Sequence, residues 1–363
     1  MEQRDQPVYG EAGRLTAEEL QLATRNHGLP LEALRYPLTP AGLHYLLIHY
    51  DIPAIDTASF VVDIGGRVSR PCRLTLDELR ARPKTTVAVT MECAGNGRAL
   101  LEPRPLSQPW LHEAVGTAQW SGVSLAVLLD EVGVNADAVE VVFTGADRGL
   151  EGGVEQAYER ALPLGEARRP EVIVAFEMNG EPLLPQHGAP LRLITPGWYG
   201  MTNVKWLSRM TLVSEPFAGY QQDRSYRLRR DPSDAGTPLS RIEPRALMIP
   251  PGVPDFFTRR RVITMAPCAL TGRAWSGWGP MNIVEVSVDG GATWSAAELL
   301  PSELGPWAWQ SWTFEWTPTS PGEYVLCCRA RDAAGHSQAE NLTWNVGGYA
   351  NPAPQRVVVT VQS

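Results

Sequence analysis

The segment TMECAGNGR, residues 90–98, places a cysteine where a strand-like run gives way to a glycine-rich bend. The run that leads into it, TTVAVT, favours a strand because β-branched side chains suit a pleated backbone. Cys93 is followed by AGNG, small residues that turn readily and offer a sulfur atom little to pack against. This pattern predicts a thiol presented to a ligand at the end of a strand, with a small structural thiol as the alternative.

Two further glycine-bearing loops carry cationic or imidazole side chains. QHGAPLRL contains His187 and Arg192, and GWYGMTNVKW contains Lys205. Because the two loops flank one predicted strand, the three side chains can line a single anion pocket. Arg98 is expected to lower the pKa of the Cys93 thiol, and a thiolate is a good ligand for a soft metal. A sulfur-held metal beside a phosphate-binding pocket is what a dithiolene-phosphate cofactor requires.

Composition and charge exclude several classes of protein. The 363 residues are 44% hydrophobic and 20% charged, as in an ordinary globular protein, and the net charge is −8. This charge argues against a nucleic-acid or anionic-membrane binder, and the longest apolar runs are too short to span a bilayer. Residues 1–15 show no signal pattern, which predicts a cytoplasmic chain, or a periplasmic one if a leader was removed. The five cysteines lack C-x-x-C spacing, which favours reduced thiols.

Motifs of other catalytic classes are missing from the sequence. There is no G-x-S-x-G for a serine hydrolase, no H-E-x-x-H, no P-loop and no G-x-G-x-x-G after a strand. None of the six histidines lies in a local cysteine-protease signature.

The first part of the chain is predicted to hold a short arm and an α+β domain. Residues 1–36 form a helical arm, because Thr16 and Glu19 make a capping box. Residues 37–216 form one compact domain, in which strand-like runs such as EVIVAFEMNG are interleaved with short helices at TLDEL and SLAVLLDEV.

The second part is predicted to be a linker and a β-sandwich. Residues 217–260 are rich in Arg, Pro and Asp and read as a linker that wraps the surface. Residues 261–363 contain short alternating strands, such as NIVEVSV before an Asp-Gly-Gly turn, which is typical of an immunoglobulin-like sandwich. Cys327 and Cys328 point to opposite faces of one strand, so no disulfide is expected between them.

These motifs together resemble the sulfite oxidase family of molybdopterin-dependent oxidoreductases. The motifs that carry the resemblance are ECAGNGR, AFEMNGEPLLPQHGAPLRLITPGWYGMTNVKWLSRM and GRAWSG…VSVDGGATW…WAWQSWTFEW. They occur in the family's order from about residue 37 to the end of the sequence. The resemblance implies the α+β fold class, with a β-rich molybdopterin-binding catalytic domain followed by an immunoglobulin-like dimerisation domain.

The resemblance also implies roles for individual residues. Cys93 matches the cysteine that ligates molybdenum. The residues that match cofactor contacts are His49, Asp147, His187, Arg192, Asn203, Val204 and Lys205. Three residues match the catalytic pocket: Arg98 as a cation for the substrate, Tyr158 beside the reacting oxygen, and Trp120 as a pocket tryptophan.

One departure from the family pattern concerns an arginine. The family carries Arg-Asn-His after Thr-Pro, whereas this chain keeps the histidine as His49 and has Leu47 and Ile48 before it. An Arg-Asn-His run does occur upstream, beginning at Arg25. Whether Arg25 folds back into the pocket to replace the missing cation is left open by the sequence.

The function implied by the resemblance is two-electron oxygen-atom transfer on a small oxyanion, the oxidation of sulfite to sulfate. It requires a molybdenum–molybdopterin cofactor and, with no haem domain expected in this chain, a separate electron carrier. A homodimer is also implied. Nitrate or sulfoxide reduction on the same cofactor is one alternative, and a non-catalytic binding or structural protein that retains the fold is another.

Overall fold

The first half of the chain forms mainly two five-stranded sheets in the computed structural model, which describes residues 9–10, 15–302 and 304–363. Residues 1–8 and 11–14 of the predicted arm lie outside the described residues. The strands of this half are β1 (Tyr9–Gly10), β2 (Val61–Gly66), β3 (Cys72–Thr75), β4 (Thr85–Glu92), β5 (Arg104–Pro105), β6 (Val115–Ser124), β7 (Glu140–Glu151), β8 (Val154–Pro163), β9 (Ile173–Met178), β10 (Glu181–Pro182), β11 (Arg192–Ile194) and β12 (Leu207–Val213).

The two sheets share one apolar core. One sheet has the order β3-β2-β12-β7-β8, and the other has the order β10-β9-β6-β4, with β11 also paired to β9. Phe143, Val174 and Met210, from three different strands, are fully buried together in this core. The loops that follow β4 and flank β11 carry most of the cationic and thiol side chains of the candidate site.

The described residues form four α-helices: α1 (Ala17–Arg25), α2 (Leu76–Arg80), α3 (Leu125–Val132) and α4 (Leu164–Ala167). The predicted capping boxes of α1 and α2 are confirmed. The hydroxyl of Thr16 accepts a hydrogen bond from the Glu19 N–H at 3.2 Å, and Thr75 accepts one from Glu78 at the same distance. Single 3₁₀ turns shape the loops, at Leu31–Arg35, Ala41–Leu43, Arg98–Leu100, Pro185–His187 and Gly200–Thr202, and Gln221–Ser225 forms one π-helical turn.

The second half of the chain is a β-sandwich, as predicted. The strands of this half are β13 (Arg227–Leu228), β14 (Thr237–Pro238), β15 (Arg245–Met248), β16 (Val253–Pro254), β17 (Arg261–Thr264), β18 (Cys268–Trp275), β19 (Met281–Ser287), β20 (Ser295–Ala296), β21 (Glu298–Leu299), β22 (Gln310–Trp316), β23 (Gly322–Asp332) and β24 (Gln355–Gln362). Strands β13 and β14 pair with each other in a separate two-stranded ribbon. A four-stranded sheet, β15-β18-β22-β21, and a six-stranded sheet, β16-β17-β24-β23-β19-β20, enclose a core that contains Leu270, Trp312 and Val359.

The segment predicted as a linker, residues 217–260, is not all connecting chain. Strand β15 lies within it and pairs antiparallel with β18 of the sandwich. All four residues of β15 are buried, so the strand has no exposed face and shows none of the alternation that marks a half-exposed strand. Its sequence, RALM, was therefore missed.

No helix within the described residues is long and apolar enough to cross a lipid bilayer.

Candidate functional site

One cleft in the first domain gathers eight of the eleven residues that the sequence predicted for the site. It contains about 630 Å³ of space not filled by protein atoms, its open mouth included. The predicted residues that line it are His49, Cys93, Asp147, Tyr158, His187, Arg192, Asn203 and Lys205.

Cys93 lies at the first position after β4, where the chain leaves the sheet. Its N–H donates to the Ala114 carbonyl at 2.9 Å, which holds the start of the loop against β6. Burial raises the pKa of the Cys93 thiol, and the nearby Arg98 guanidinium offsets only part of that rise. Arg98 lowers the pKa of the thiol, but the expected net depression of that pKa is wrong for the protein alone, because the sulfur lies in an apolar environment.

A tryptophan that no sequence motif indicates, Trp110, lies close to the thiol. The Trp110 indole N–H is buried without a hydrogen-bond partner, and its proximity to Cys93 opposes the rise in the thiol pKa. Trp120 does not line the cleft. It is fully buried beneath the cleft floor, so its prediction as a pocket residue is corrected to a supporting position.

Arg192 forms the floor of the cleft. Its guanidinium donates to the carbonyls of His187 at 2.8 Å and Asn203 at 3.2 Å, and it stacks on Trp120 with 4.6 Å from Cζ to the ring centroid. Burial lowers its pKa to about 10, so it stays charged at neutral pH. Its Nε atom is buried and has no hydrogen-bond partner.

Two buried imidazoles lie next to this arginine. His187 is bonded through Nε2 to the Ala41 carbonyl at 3.0 Å, and its ring meets that of His44 edge to face at 5.7 Å. Burial lowers the pKa of His187 to about 4 and that of His44 to about 3, so both are neutral at pH 7. His44 lines the cleft and was not predicted, because nothing in its local sequence sets it apart.

Lys205 and Asp147 form a second polar wall. The Lys205 ammonium donates to the carbonyls of Leu47 at 2.8 Å and Gln186 at 3.2 Å. Burial lowers the pKa of Lys205 to about 7 and raises that of Asp147 to about 6. The Oδ1 atom of Asp147 is buried without a partner.

Aromatic side chains close the opposite wall. The Tyr158 hydroxyl donates to the Met201 carbonyl at 2.7 Å, and its ring lies 4.6 Å from that of His49. His49 Nε2 is hydrogen-bonded to the Tyr226 hydroxyl. The pKa of His49 is lowered to about 3 by burial, with Lys205 adding to the effect.

A buried arginine behind this wall was also missed. Arg160 donates to the Gln221 carbonyl, and its guanidinium carbon lies 5.5 Å from the ring centroid of Tyr226. Its Nε atom has no partner. The spacing could have revealed it, because Tyr158 and Arg160 are two residues apart on β8 and share one face of the strand.

Arg98 and Val204 are placed away from the cleft lining. The Arg98 guanidinium donates to the carbonyls of Gly347 at 2.9 Å and Gln108 at 3.0 Å, and it lies 5.2 Å from the ring centroid of Tyr349. Arg98 therefore joins the cysteine loop to the sandwich domain. Val204 is fully buried in the core between the sheets, so its side chain packs there.

The position expected for a family arginine is apolar in this chain. Leu47 lines the cleft. Arg25 is exposed at the end of α1, and its guanidinium donates to the carbonyls of Ile48 at 3.2 Å and His49 at 2.9 Å. Arg25 thus braces the backbone of the histidine from outside and does not line the cleft.

Among the described residues, no group of three or more His, Cys, Asp or Glu side chains is arranged to hold a metal ion.

Comparison with known families matches both halves of the chain. The family model described as the oxidoreductase molybdopterin binding domain matches residues 49–221. The model described as the Mo-co oxidoreductase dimerisation domain matches residues 258–362.

Sulfite oxidases and nitrate reductases match nearly the same share of the chain. Mitochondrial sulfite oxidase from Mus musculus is 33% identical over 343 residues, covering 89% of this chain and 62% of the relative. Sulfite oxidase from Gallus gallus is 32% identical and covers 88% of this chain and 72% of the relative. Nitrate reductase [NADH] 1 from Oryza sativa subsp. japonica is 32% identical, with 89% of this chain and 38% of the relative covered. The chain thus spans less than two thirds of the mouse and rice relatives.

A solved structure shares the whole architecture. The sulfane dehydrogenase SoxCD from Paracoccus pantotrophus matches with a TM-score of 0.80 over 99% of this chain and 91% of that chain, at 24% identity. At this identity the match establishes the fold alone. The identity to sulfite oxidases across both halves, together with the two family models, shows that the chain belongs to the sulfite oxidase family of molybdopterin-dependent oxidoreductases.

Proposed function

We propose that this protein is a molybdenum-cofactor oxidoreductase that oxidises sulfite to sulfate. The observation that carries the proposal is the composition of the cleft. The Cys93 thiol, two cationic side chains and three tyrosines line the same cleft: Arg192, Lys205, Tyr45, Tyr158 and Tyr226. A soft sulfur ligand suits a soft metal, and buried cations suit a phosphate.

The unpartnered polar atoms of the cleft fit a molybdopterin. Asp147 Oδ1 is a free acceptor, Arg192 Nε is a free donor, and His44 Nε2 is a third atom without a partner. Leaving such atoms buried and unsatisfied costs about 1–3 kcal/mol each. A pterin with a phosphate tail supplies both ring N–H donors and oxygen acceptors, so the residues present match the group. When bound, the cofactor supplies the metal that accepts two electrons from the substrate.

Some residues of the cleft would hold the cofactor, and others would orient the substrate. Cys93 would hold the metal through its sulfur. Arg192 and Lys205 would neutralise the phosphate, and the Asn203 carbonyl keeps the Arg192 guanidinium in place. Tyr158, whose hydroxyl donates to the Met201 carbonyl in this structure, would turn that donor toward the reacting oxygen when substrate binds, and Arg160 supplies positive charge behind Tyr226.

The overall reaction balances with water as the oxygen source. Sulfite gains one oxygen atom from water, loses two electrons and releases two protons. The electrons pass to a separate carrier.

Reduction of nitrate is the second candidate, and it is favoured by the rice nitrate reductase match over 89% of the chain. Metal analysis of the purified protein comes first, and the absence of molybdenum above background would reject both candidates. Turnover with sulfite and ferricyanide then supports sulfite oxidation, whereas turnover only with nitrate and a reduced viologen overturns it.

We also infer a homodimer formed through the sandwich domain. Support comes from the dimerisation-domain match and from two phenylalanines between β16 and β17, Phe256 and Phe257, which are 79% and 89% exposed. Sedimentation of wild-type protein beside Phe256→Asp and Phe257→Asp variants tests this inference, and a monomeric wild-type protein would reject it.

A cytoplasmic location is part of the proposal. All five cysteines are free thiols, which suits a reducing compartment. Cell fractionation tests it, and recovery of the protein from the periplasm would contradict it.

A further inference from the structure

The residue directly before Cys93 is bound by the second domain. Glu92 and Arg245 form an ion pair, with 2.8 Å from Glu92 Oε1 to Arg245 Nε, and both side chains are 2% exposed. The Trp275 indole N–H donates to the other carboxylate oxygen of Glu92 at 2.8 Å. Because breaking a buried ion pair leaves an uncompensated charge, this contact strongly resists displacement.

A sandwich segment, residues 345–351, bonds the carbonyls of the cysteine loop. The Ala350 N–H donates to the Ala94 carbonyl at 2.8 Å. The Asn351 side-chain amide donates to the Gly97 carbonyl, also at 2.8 Å. Both carbonyls belong to the bend that follows Cys93, so two of its peptide planes are fixed by the other domain.

Arg245 joins these two sets of contacts. Besides its pairing with Glu92, its guanidinium donates to the Asn351 carbonyl. Glu92 is in turn an acceptor for the Asn96 side-chain amide at 2.9 Å, within the cysteine loop. One buried arginine of β15 therefore ties the end of β4, the cysteine loop and the 345–351 segment together.

The glycines of the loop are required by this contact. Gly97 has a φ of +91°, and a Cβ atom there would lie 2.5 Å from the Asn351 carbonyl oxygen. A Cβ atom on Gly348 would lie 2.7 Å from Arg98 Cγ. At Gly97 the backbones of the two domains approach more closely than a side chain would allow, and at Gly348 the absence of a side chain makes room for Arg98.

We propose that Arg245 and Asn351 are positioning residues of the metal site, because they hold the bend that aims the Cys93 sulfur into the cleft. The sandwich domain then serves the metal site directly, in addition to any role in dimerisation. This inference rests on the proposed function only in taking Cys93 as the metal ligand.

The test compares Arg245→Lys and Asn351→Ala with a matched control, Arg273→Lys. Arg273 is also a buried arginine of the sandwich that bonds the N-terminal arm, at the Leu34 carbonyl 2.7 Å away, and its partners within the described part of the chain include no residue of the cysteine loop. In cofactor-free protein, the alkylation rate of Cys93 is followed by mass spectrometry on the tryptic peptide of residues 85–98, which carries no other cysteine. Measurements are made well below the Tm of every variant.

We expect Arg245→Lys and Asn351→Ala to raise the Cys93 alkylation rate about tenfold over wild type, since local opening becomes easier. Arg273→Lys should leave that rate unchanged even where it lowers the Tm. Equal rates in all variants, or an increase in the control as large as in the others, would overturn the proposal. If Arg245→Lys fails to fold, Asn351→Ala alone decides, because it removes one hydrogen bond from the loop and leaves the ion pair intact.

Loaded enzyme provides a second readout. The electron paramagnetic resonance signal of the half-reduced metal reports the geometry of its sulfur ligand, and we expect it to shift in Arg245→Lys but not in Arg273→Lys. An unchanged alkylation rate rejects the positioning role even if molybdenum is present, whereas absence of molybdenum from wild-type protein rejects the proposed function and leaves the alkylation result standing.

Discussion

The guanidinium of Arg192 lies on the face of Trp120, with 4.6 Å from Cζ to the ring centroid, so the tryptophan acts on the cleft through the arginine. A desolvated cation–π contact of this kind contributes about 2 kcal/mol. We expect Trp120→Leu to weaken cofactor retention by roughly tenfold or more, with a smaller loss in Trp120→Phe.

The measurement for Trp120 is the molybdenum-to-protein ratio after extended dialysis. Trp312→Leu is the matched control, because Trp312 is equally buried but lies in the sandwich core. If both leucine variants lose molybdenum to the same extent, general destabilisation explains the result and the role of Trp120 is rejected.

Cys93→Ser should abolish turnover while the far-ultraviolet circular dichroism spectrum stays that of wild type. The expected cause is loss of the sulfur ligand, since a hydroxyl is a poor substitute for a thiolate toward a soft metal. Cys72→Ser is the control, because Cys72 is half-buried on β3 and outside the cleft. Sulfite turnover in Cys93→Ser at the wild-type rate would remove Cys93 from the mechanism.

Arg160→Gln should raise the KM for sulfite with a smaller effect on kcat. Because Arg160 lies behind Tyr226 and acts through its charge without contacting the cleft, a contribution of about 0.5–1 kcal/mol is expected, which is an increase in KM of roughly twofold to fivefold. Arg148→Gln is the control, since Arg148 lies on the neighbouring strand β7 but pairs with Glu155 at the surface. An unchanged KM in Arg160→Gln shows that this arginine does not contribute to substrate binding.

Lys205 should make the stability of cofactor-free protein depend on pH. Burial lowers its pKa from an ordinary 10.5 to about 7, so between these values the unfolded chain binds a proton that the native chain does not. The free energy of unfolding therefore gains up to about 1.4 kcal/mol per pH unit from this group as the pH rises through that window.

Below pH 7 Lys205 is protonated in both the native and the unfolded state, so it does not make the free energy of unfolding depend on pH there. Lys205→Met removes this contribution, so wild type minus variant isolates it from the other titrating groups. Urea unfolding at a series of pH values measures the difference, and parallel curves for the two proteins from pH 7 to 10 would disprove the assigned cause.

Local signals made much of the fold predictable. The capping boxes at Thr16 and Thr75 involve residues three apart, so the sequence alone determines them. Strand β15 escaped detection because a strand buried on both faces has no period of two. Burial of this kind is decided by β18 and by distant residues that cover the strand.

The site was predictable as a set of loops but less so in its details. Cys93 and Arg192 lie in motifs whose residue types already point to their chemistry. Choosing between Trp110 and Trp120 required the fold, because both are aromatic residues near the same strand and only one faces the thiol. The Arg98 side chain points away from the cleft because it donates to the carbonyl of Gly347, which lies 249 residues further along the chain.

The contact between Gly97 and Asn351 can form only late in the synthesis of the chain. Their hydrogen bond joins residues 254 positions apart, so a ribosome adds the second partner on the order of ten seconds to a minute after the first. During that interval the nascent first domain contains the cysteine but lacks the chain that shapes its loop. We therefore expect cofactor insertion to follow synthesis of the sandwich, and an isolated first domain to be a poor acceptor for it.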